Sequence, residues 1–577
     1  MNDYQLYIDG EFCEASDGGR FDTTNPATGE VWASAPAATE ADVDRAVRAA
    51  HRAMTTGEWA SMTATMRGRL LYRLADLVAE NAHWLGEIET TDSGKLAAET
   101  RAQSAYVADY YRYYAGLADK IQGDTLPIDK PDLHVFTTRD PIGVVAAIVP
   151  WNAEMFLTAT KVGPALAAGN AVVIKASEIA PAPLLEFARV LDQVGFPPGV
   201  VNLLTGFGEP CGRALTSHPM VSKVAFTGGV DTARQIVAST ARNLAPVSLE
   251  LGGKSPILVF DDADLDGAVN GAVAGNFGAS GQSCVAGSRV LVQAGIHDRF
   301  IAELVRRSEA IRIGDPLADD SQMGPLATRA QRDRIEAVVA KSIAQGAVLH
   351  TGGCRPEGLD AGWYYRPTVL GCANQEVACT REELFGPVMS VLSFETEADA
   401  VAMANDTEFG LAAGIFSSDA SRVHRVARSV RAGIVWVNTY RAISPIAPFG
   451  GFGNSGSGRE AGVDAISCTP SYPRHLETFV QDELGVEPAE LGLTLGLFGG
   501  EPGLENSDFR GQLERTWGMR AANANYGMSE ALCNFASVCD EENDLHFLGQ
   551  GAVLAQMIDP VSAEDMPLDE GRRGELV

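Results

Sequence analysis

The sequence predicts an α/β protein built on parallel sheets, on three observations. Ile142 to Val149 is an apolar run rich in Val and Ile, as expected of a strand buried on both faces. Short apolar strands then alternate with amphipathic helices, the pattern that covers a parallel sheet on both sides. At 577 residues the chain also exceeds what one hydrophobic core supports, so two or three domains are expected.

The elements come in order along the chain. Ala37 to Ala118 is rich in Ala, Arg, Glu and Leu, with apolar positions at helical spacing; Leu70, Leu71, Leu74, Leu77 and Val78 form one stripe assigned to core. From Gly123 to Arg139 the character changes. Pro127 and Pro131 break helices, and His134 to Thr138 alternates like an exposed strand. Beyond the buried run, Ala171 to Lys175, Val200 to Leu204 and Val221 to Thr227 read as strands. Pro183 to Val194 and Asp231 to Thr240 read as helices between and after them. Further βα units after Lys254 point to a second α/β domain.

Composition narrows the function. With 75 acidic against 45 basic residues the formal charge is −30, which argues against nucleic acid or an anionic membrane as the main partner, since both need a basic face. The nine cysteines are odd in number and scattered, with no C-x-x-C spacing, so no metal site is expected. The N-terminal residues lack the regions of a signal peptide, and no apolar run spans a bilayer. A cytoplasmic, reducing setting is expected, where a thiol can be kept for chemistry.

Five segments carry chemistry. Gly281-Gln-Ser-Cys284 sets a thiol after small residues that let a substrate approach; alone, it reads equally as a buried small hydrophobe. Glu250, before Leu-Gly-Gly-Lys254, is a positioned general base or a strand-end ion pair to Lys254. Asn152, in Pro150-Trp151-Asn152, is an oxyanion donor or a turn cap. Lys175, Ser177 and Glu178 lie beyond a strand's carboxyl end, where open α/β sheets bind ligands. Gly228 and Gly229 open a helix after a strand, pointing amides at a phosphate, although no G-x-G-x-x-G is present.

Taken together, and in this order, the five segments resemble the aldehyde dehydrogenase superfamily from near the N-terminus to about Ile466. The resemblance implies a Rossmann-type cofactor domain (1–122 and 142–252), an oligomerisation hairpin (123–141) and an α/β catalytic domain (253–452), then a return at 453–466. It makes Cys284 the nucleophile, Glu250 the base and Asn152 the oxyanion donor, with Glu460 as a second acid in proton transfer. Lys175, Ser177 and Glu178 would meet the adenine ribose, and Gly228 and Gly229 the phosphates. Glu383 would meet the nicotinamide ribose, with Phe385 and Trp151 beside it. The implied reaction is oxidation of a small-molecule aldehyde through a thiohemiacetal and a thioester, which water hydrolyses. A carboxylate at 178 repels a 2′-phosphate, so NAD is favoured and NADP disfavoured. A homodimer or homotetramer is expected. Ala153, followed by Glu154, stands where the family often has an aromatic residue, and Thr160 stands where Trp is frequent. These departures are expected to widen or polarise the substrate tunnel.

From Ser467 onward the sequence instead resembles the middle of a phenylacetate–coenzyme A ligase. The matching pieces include Gly496-Leu-Phe-Gly-Gly-Glu501-Pro502 and Asn525-Tyr526-Gly-Met-Ser-Glu530. Residues 467–577 are therefore read as an incomplete fragment of an adenylate-forming α/β domain, without ligase activity. A helix is expected from Arg474 to Gly485, and the family's last oligomerisation strand is replaced. Two other functions are weighed: a coenzyme A-acylating or semialdehyde dehydrogenase, and an impaired fusion acting as a binding module. Glu250 opposes the first and the intact catalytic set opposes the second.

Overall fold

The computed structural model describes residues 2–462 and seven short strands between 495 and 576. The chain divides into two units, 1–463 and 464–577.

The first unit carries two large sheets. In the first, Val247–Glu250, Val221–Thr227, Val144–Ile148, Ala171–Lys175 and Val201–Leu204 run parallel in that spatial order. Antiparallel edges close it, with Leu6–Ile8 and Glu11–Cys13 on one side and Gly456–Ser457 on the other. Alternation of side chains fills both faces. Val145, Ala147, Val172 and Ile174 pack with Leu71, Leu74 and Val78 of the helix Ala64–Glu80. Val144, Ala146 and Val173 pack on the opposite face with Val43, Ala46, Val47 and Ala50 of the helix Glu40–Thr55. Each Val or Leu so buried is worth roughly 1.5–3 kcal/mol. The expected strands and helices lie here within a residue or two of where periodicity puts them, and Leu70 and Leu77 sit at the rim of the core, only partly buried.

The second sheet orders Val348–Thr351, Thr368–Gly371, Val388–Phe394, Arg289–Gln293, Pro256–Val259, Ala412–Phe416 and Ile434–Val437. All but the first run parallel. Ahead of Val144–Ile148 in sequence, Thr125–Leu126 and Val135–Phe136 form a small antiparallel hairpin whose Leu126, Leu133 and Phe136 are exposed.

In the second unit Leu495–Phe498 pairs in parallel with Arg520–Asn523, and the other short strands pair antiparallel. The expected helix at 474–485 and most of the ligase-like motifs lie outside the described residues. Among the described residues no helix is long and apolar enough to cross a membrane, and no group of side chains could hold a metal ion.

Candidate active site

Cys284 comes after the helix Leu265–Phe277 through a loop of unusual backbone. Ala279 and Ser280 take φ of 52° and 53°, and Gly281 adds a third at 75°. Non-glycine residues held there cost on the order of 1–3 kcal/mol each, so surrounding bonds must over-determine them. Ser280 Oγ donates to the Gly324 carbonyl at 2.9 Å, and Gln282 Oε1 accepts from the Ala327 amide at 2.9 Å. Only glycine fits at 281, because a Cβ there would lie 2.2 Å from the Gly386 backbone. That contact sets the thiol loop against the segment bearing Glu383 and Phe385.

Asn152 stands just past the strand Val144–Ile148, and its Nδ2 donates to the Gln282 carbonyl at 2.9 Å. It is not the N-cap of the next helix, which is Ala153. One amide N–H is spent on the thiol loop, and the second is left for a ligand.

Glu250 ends the strand Val247–Glu250, buried, with neither carboxylate oxygen hydrogen-bonded among the described residues. It makes no ion pair with Lys254, which is itself buried. Burial first, and the Glu460 charge second, push its carboxyl up to about 9. Burial pushes the Cys284 thiol up to about 12, with Glu383 and Glu250 adding to it and Arg441 opposing. Near neutrality the resting pair therefore holds both protons.

Glu460 is buried, accepting from Lys161 Nζ at 2.6 Å and Thr160 Oγ1 at 3.0 Å. Lys161 Nζ also donates to Thr227 Oγ1 at 2.6 Å. Sequence reasoning missed Lys161. The available signal was a lone cation inside the otherwise apolar helix Glu154–Ala167.

Thr160 lines an apolar cleft of about 450 Å³, counted to its open mouth, with Tyr110, Phe156, Leu157, Ile443 and Phe449. Ile443, Phe449 and Cys284 all pack against one apolar cluster of Val285, Leu411, Ala412 and Trp436. Glu154 does not line it, which corrects the expectation that this residue polarises the tunnel. It is fully buried, and burial, then Glu89, raises its carboxyl well above the usual range, while Lys95 opposes. At the first helical position its side chain falls toward Glu89 of the helix Ala82–Ser93 and Lys95 of the loop that follows it.

On the other side of the thiol, Lys175 ends its strand with Nζ 2.9 Å from the Ala176 carbonyl and 3.4 Å from Glu178 Oε2. Ser177 Oγ accepts from the Ile179 amide at 3.2 Å, a local turn. Gly229 caps the helix Val230–Thr240 without a side-chain bond, and open space lies where its Cβ would be. The Gly228 amide donates to the Glu250 carbonyl at 3.1 Å, so the Gly228-Gly229 turn is tied to the strand end that bears Glu250. Glu383 Oε1 accepts from the Gly253 amide at 2.9 Å, and burial raises its carboxyl to about 7. Phe385, at φ 53°, sets its ring edge-on to Trp151 at 5.5 Å.

Residues 12–470 match the profile of the aldehyde dehydrogenase family. The chain belongs to the aldehyde dehydrogenase family. It is 55% identical over 466 residues to the (Z)-2-((N-methylformamido)methylene)-5-hydroxybutyrolactone dehydrogenase of Acinetobacter baylyi, covering 81% of this chain and 95% of that one. Among solved family members, an aldehyde dehydrogenase from Bacillus cereus in complex with NAD+ superposes with a TM-score of 0.78 at 39% identity. That match covers 80% of this chain and 94% of the other. Betaine aldehyde dehydrogenase from Staphylococcus aureus, also with NAD+, has the same TM-score and identity over 80% and 91%.

Proposed function

We propose that the chain oxidises an aldehyde to a carboxylic acid with NAD, through a thioester on Cys284. One observation carries the reading: the half-spent amide of Asn152 binds the loop that bears Cys284, and the Glu250 carboxyl, without a hydrogen bond among the described residues, is near enough to raise the thiol.

The chain's own residues suit the cofactor. The uncapped helix start at Gly229, open in front, presents amide donors to a pyrophosphate. Lys175, Ser177 and Glu178 offer donors and an acceptor to the adenine ribose, and Glu383 an acceptor to the nicotinamide ribose. Trp151 and Phe385 give its ring an apolar wall. When bound, NAD supplies the hydride acceptor that this chemistry requires.

Ionised Glu250 takes the proton of the Cys284 thiol and passes it on, and the thiolate adds to the carbonyl carbon. The oxygen becomes an oxyanion held by the free Asn152 N–H and the backbone amide of the nucleophile. After loss of hydride the adduct is a thioester. Glu250 takes a proton from water, the hydroxide displaces the thiolate, and the acid leaves. Glu460, anchored by Lys161, passes the proton outward.

The aromatic and aliphatic walls of the cleft, with its only acid tied to Lys161, suit an uncharged aldehyde of moderate size. The Acinetobacter relative is named for a hydroxybutyrolactone, a cyclic form of a carbonyl compound, and this supports a substrate of that kind. Transfer of the acyl group to coenzyme A is disfavoured by Glu250. The exposed apolar side chains of the hairpin support a homodimer or homotetramer. The motifs between 467 and 577 alone support the ligase-like reading of that segment, and no activity is proposed for it.

The test is an aldehyde panel with NAD, monitoring absorbance of the reduced cofactor. Turnover without coenzyme A is expected, and reduction that depends on coenzyme A, or none with any aldehyde, rejects the reading. Within the same panel, Thr160→Trp should raise KM for the bulkier aldehydes roughly 10- to 100-fold by overfilling the cleft, with little change for acetaldehyde. A second prediction concerns Glu178→Ala. Without the repelling carboxylate, KM for NADP should fall about tenfold, the scale of one screened like-charge contact, while KM for NAD rises.

A further inference from the structure

We propose that Glu99 is a positioning residue for Cys284, its carboxylate holding the thiol loop in its left-handed course. The inference rests on Cys284 being the nucleophile. Glu99 Oε1 accepts from the Ala279 amide at 3.0 Å, at the first of the three consecutive left-handed residues. Ala279 is buried, so without Glu99 its N–H would lose its partner where water does not readily replace it. The other long-range bonds to the loop hold residues 280 and 282, from Gly324, Ala327 and Asn152. Among the described residues, Glu99 is the partner of the amide at the entry to the turn that Gln282 N closes onto the Ala279 carbonyl at 3.0 Å.

The carboxylate is delivered from a fixed place. Glu99 lies in the first turn of the helix Ala97–Leu117, and the Ala97 amide donates to the Pro316 carbonyl at 2.8 Å. Its second oxygen, Oε2, is buried without a hydrogen-bond partner, so the group gives up solvation to make this contact. Arg441 approaches the same stretch, since a Cβ on Gly278 would meet its Nη1 at 2.3 Å and Glu99 Oε1 at 3.7 Å. The Arg441 charge favours the thiolate form of Cys284. A loop that relaxes at Ala279 moves the thiol relative to both Asn152 and Arg441.

The test uses the full chain and three variants: Glu99→Ala, Glu99→Gln, and Glu99→Ala combined with Ala279→Gly. Turnover, KM for NAD, melting temperature and the rate of Cys284 alkylation by iodoacetamide are measured for each. Glu99→Ala should lower kcat roughly 10- to 100-fold, the scale of a misplacement near 1 Å, and alter the alkylation rate, with KM for NAD within about twofold. Glu99→Gln keeps an accepting oxygen and should retain most of the activity. Glycine adopts the left-handed turn without support, so the double variant should recover most of what Glu99→Ala loses. A merely structural role in the helix predicts no such recovery. Wild-type kcat and alkylation in Glu99→Ala, or a double variant no better than the single, overturns the proposal. Should Glu99→Ala fail to fold, a double variant that also fails overturns it, and one that folds and turns over supports it. Alkylation reads the loop independently of turnover, so failure here is separable from failure of the dehydrogenase reading.

Discussion

Replacing Cys284 with Ala should abolish aldehyde oxidation, lowering kcat by roughly 10⁴-fold or more, while leaving NAD binding and the melting temperature near those of the parent. The thiol packs beside residues that line the apolar cleft, whereas Cys211, Cys372 and Cys379 are buried in other described cores. Oxidation then has no nucleophile to form the thioester, and the Asn152 amide has no adduct to stabilise. The parent should show an acyl-enzyme burst under single-turnover conditions, and the variant none. An unchanged rate in Cys284→Ala would falsify the nucleophile assignment.

Glu250→Gln should produce the second large effect, and in two opposite directions. Turnover should fall on the order of 10²–10⁴-fold, the usual contribution of a general base. In the parent, kcat should climb about tenfold per pH unit and level off as Glu250 ionises near 9. The amide variant should lose that limb. Stability moves the other way. A carboxyl whose folded pKa lies far above its unfolded value contributes stability that is fully present below about pH 4 and is lost as pH rises through about 9. In that window the unfolded chain ionises and the folded chain resists. Glutamine removes the difference, so the variant should melt several degrees above the parent at pH 8 and close to it at pH 4. A thermal scan at the two pH values checks this, and equal melting temperatures at pH 8 would reject the buried, protonated state of Glu250.

Much of the first sheet was legible because a buried parallel strand leaves a plain record. Val144 to Ile148 lies wholly within the apolar run from Ile142 to Val149. The thiol, the base and the amide were legible as a set, since each segment alone had an ordinary alternative. What the sequence could not show was direction. Glu154 and Thr160 sit on one helix, and only the rotation of that helix sends the acid into a buried cluster and the threonine into the cleft. Long-range partners were equally hidden. Lys161 and Glu460 are 299 residues apart, as the chain counts them, yet share a hydrogen bond. Glu99 meets Ala279 across 180 residues. No local pattern encodes such meetings, because they depend on how two sheets and their helices close on one another.

The segment from Phe449 to Glu460 has a consequence for how this chain tolerates change. Phe449 and Glu460 exchange backbone hydrogen bonds in both directions, at 2.6 and 2.7 Å, and the Gly462 amide returns to the Pro445 carbonyl at 3.0 Å. The chain is thereby tied back onto itself at Glu460. Such a clasp fixes the carboxylate through the backbone on either side of it. A substitution within the segment that breaks these bonds should therefore move Glu460 away from Lys161 and Thr160 even where no side chain of the cleft is changed.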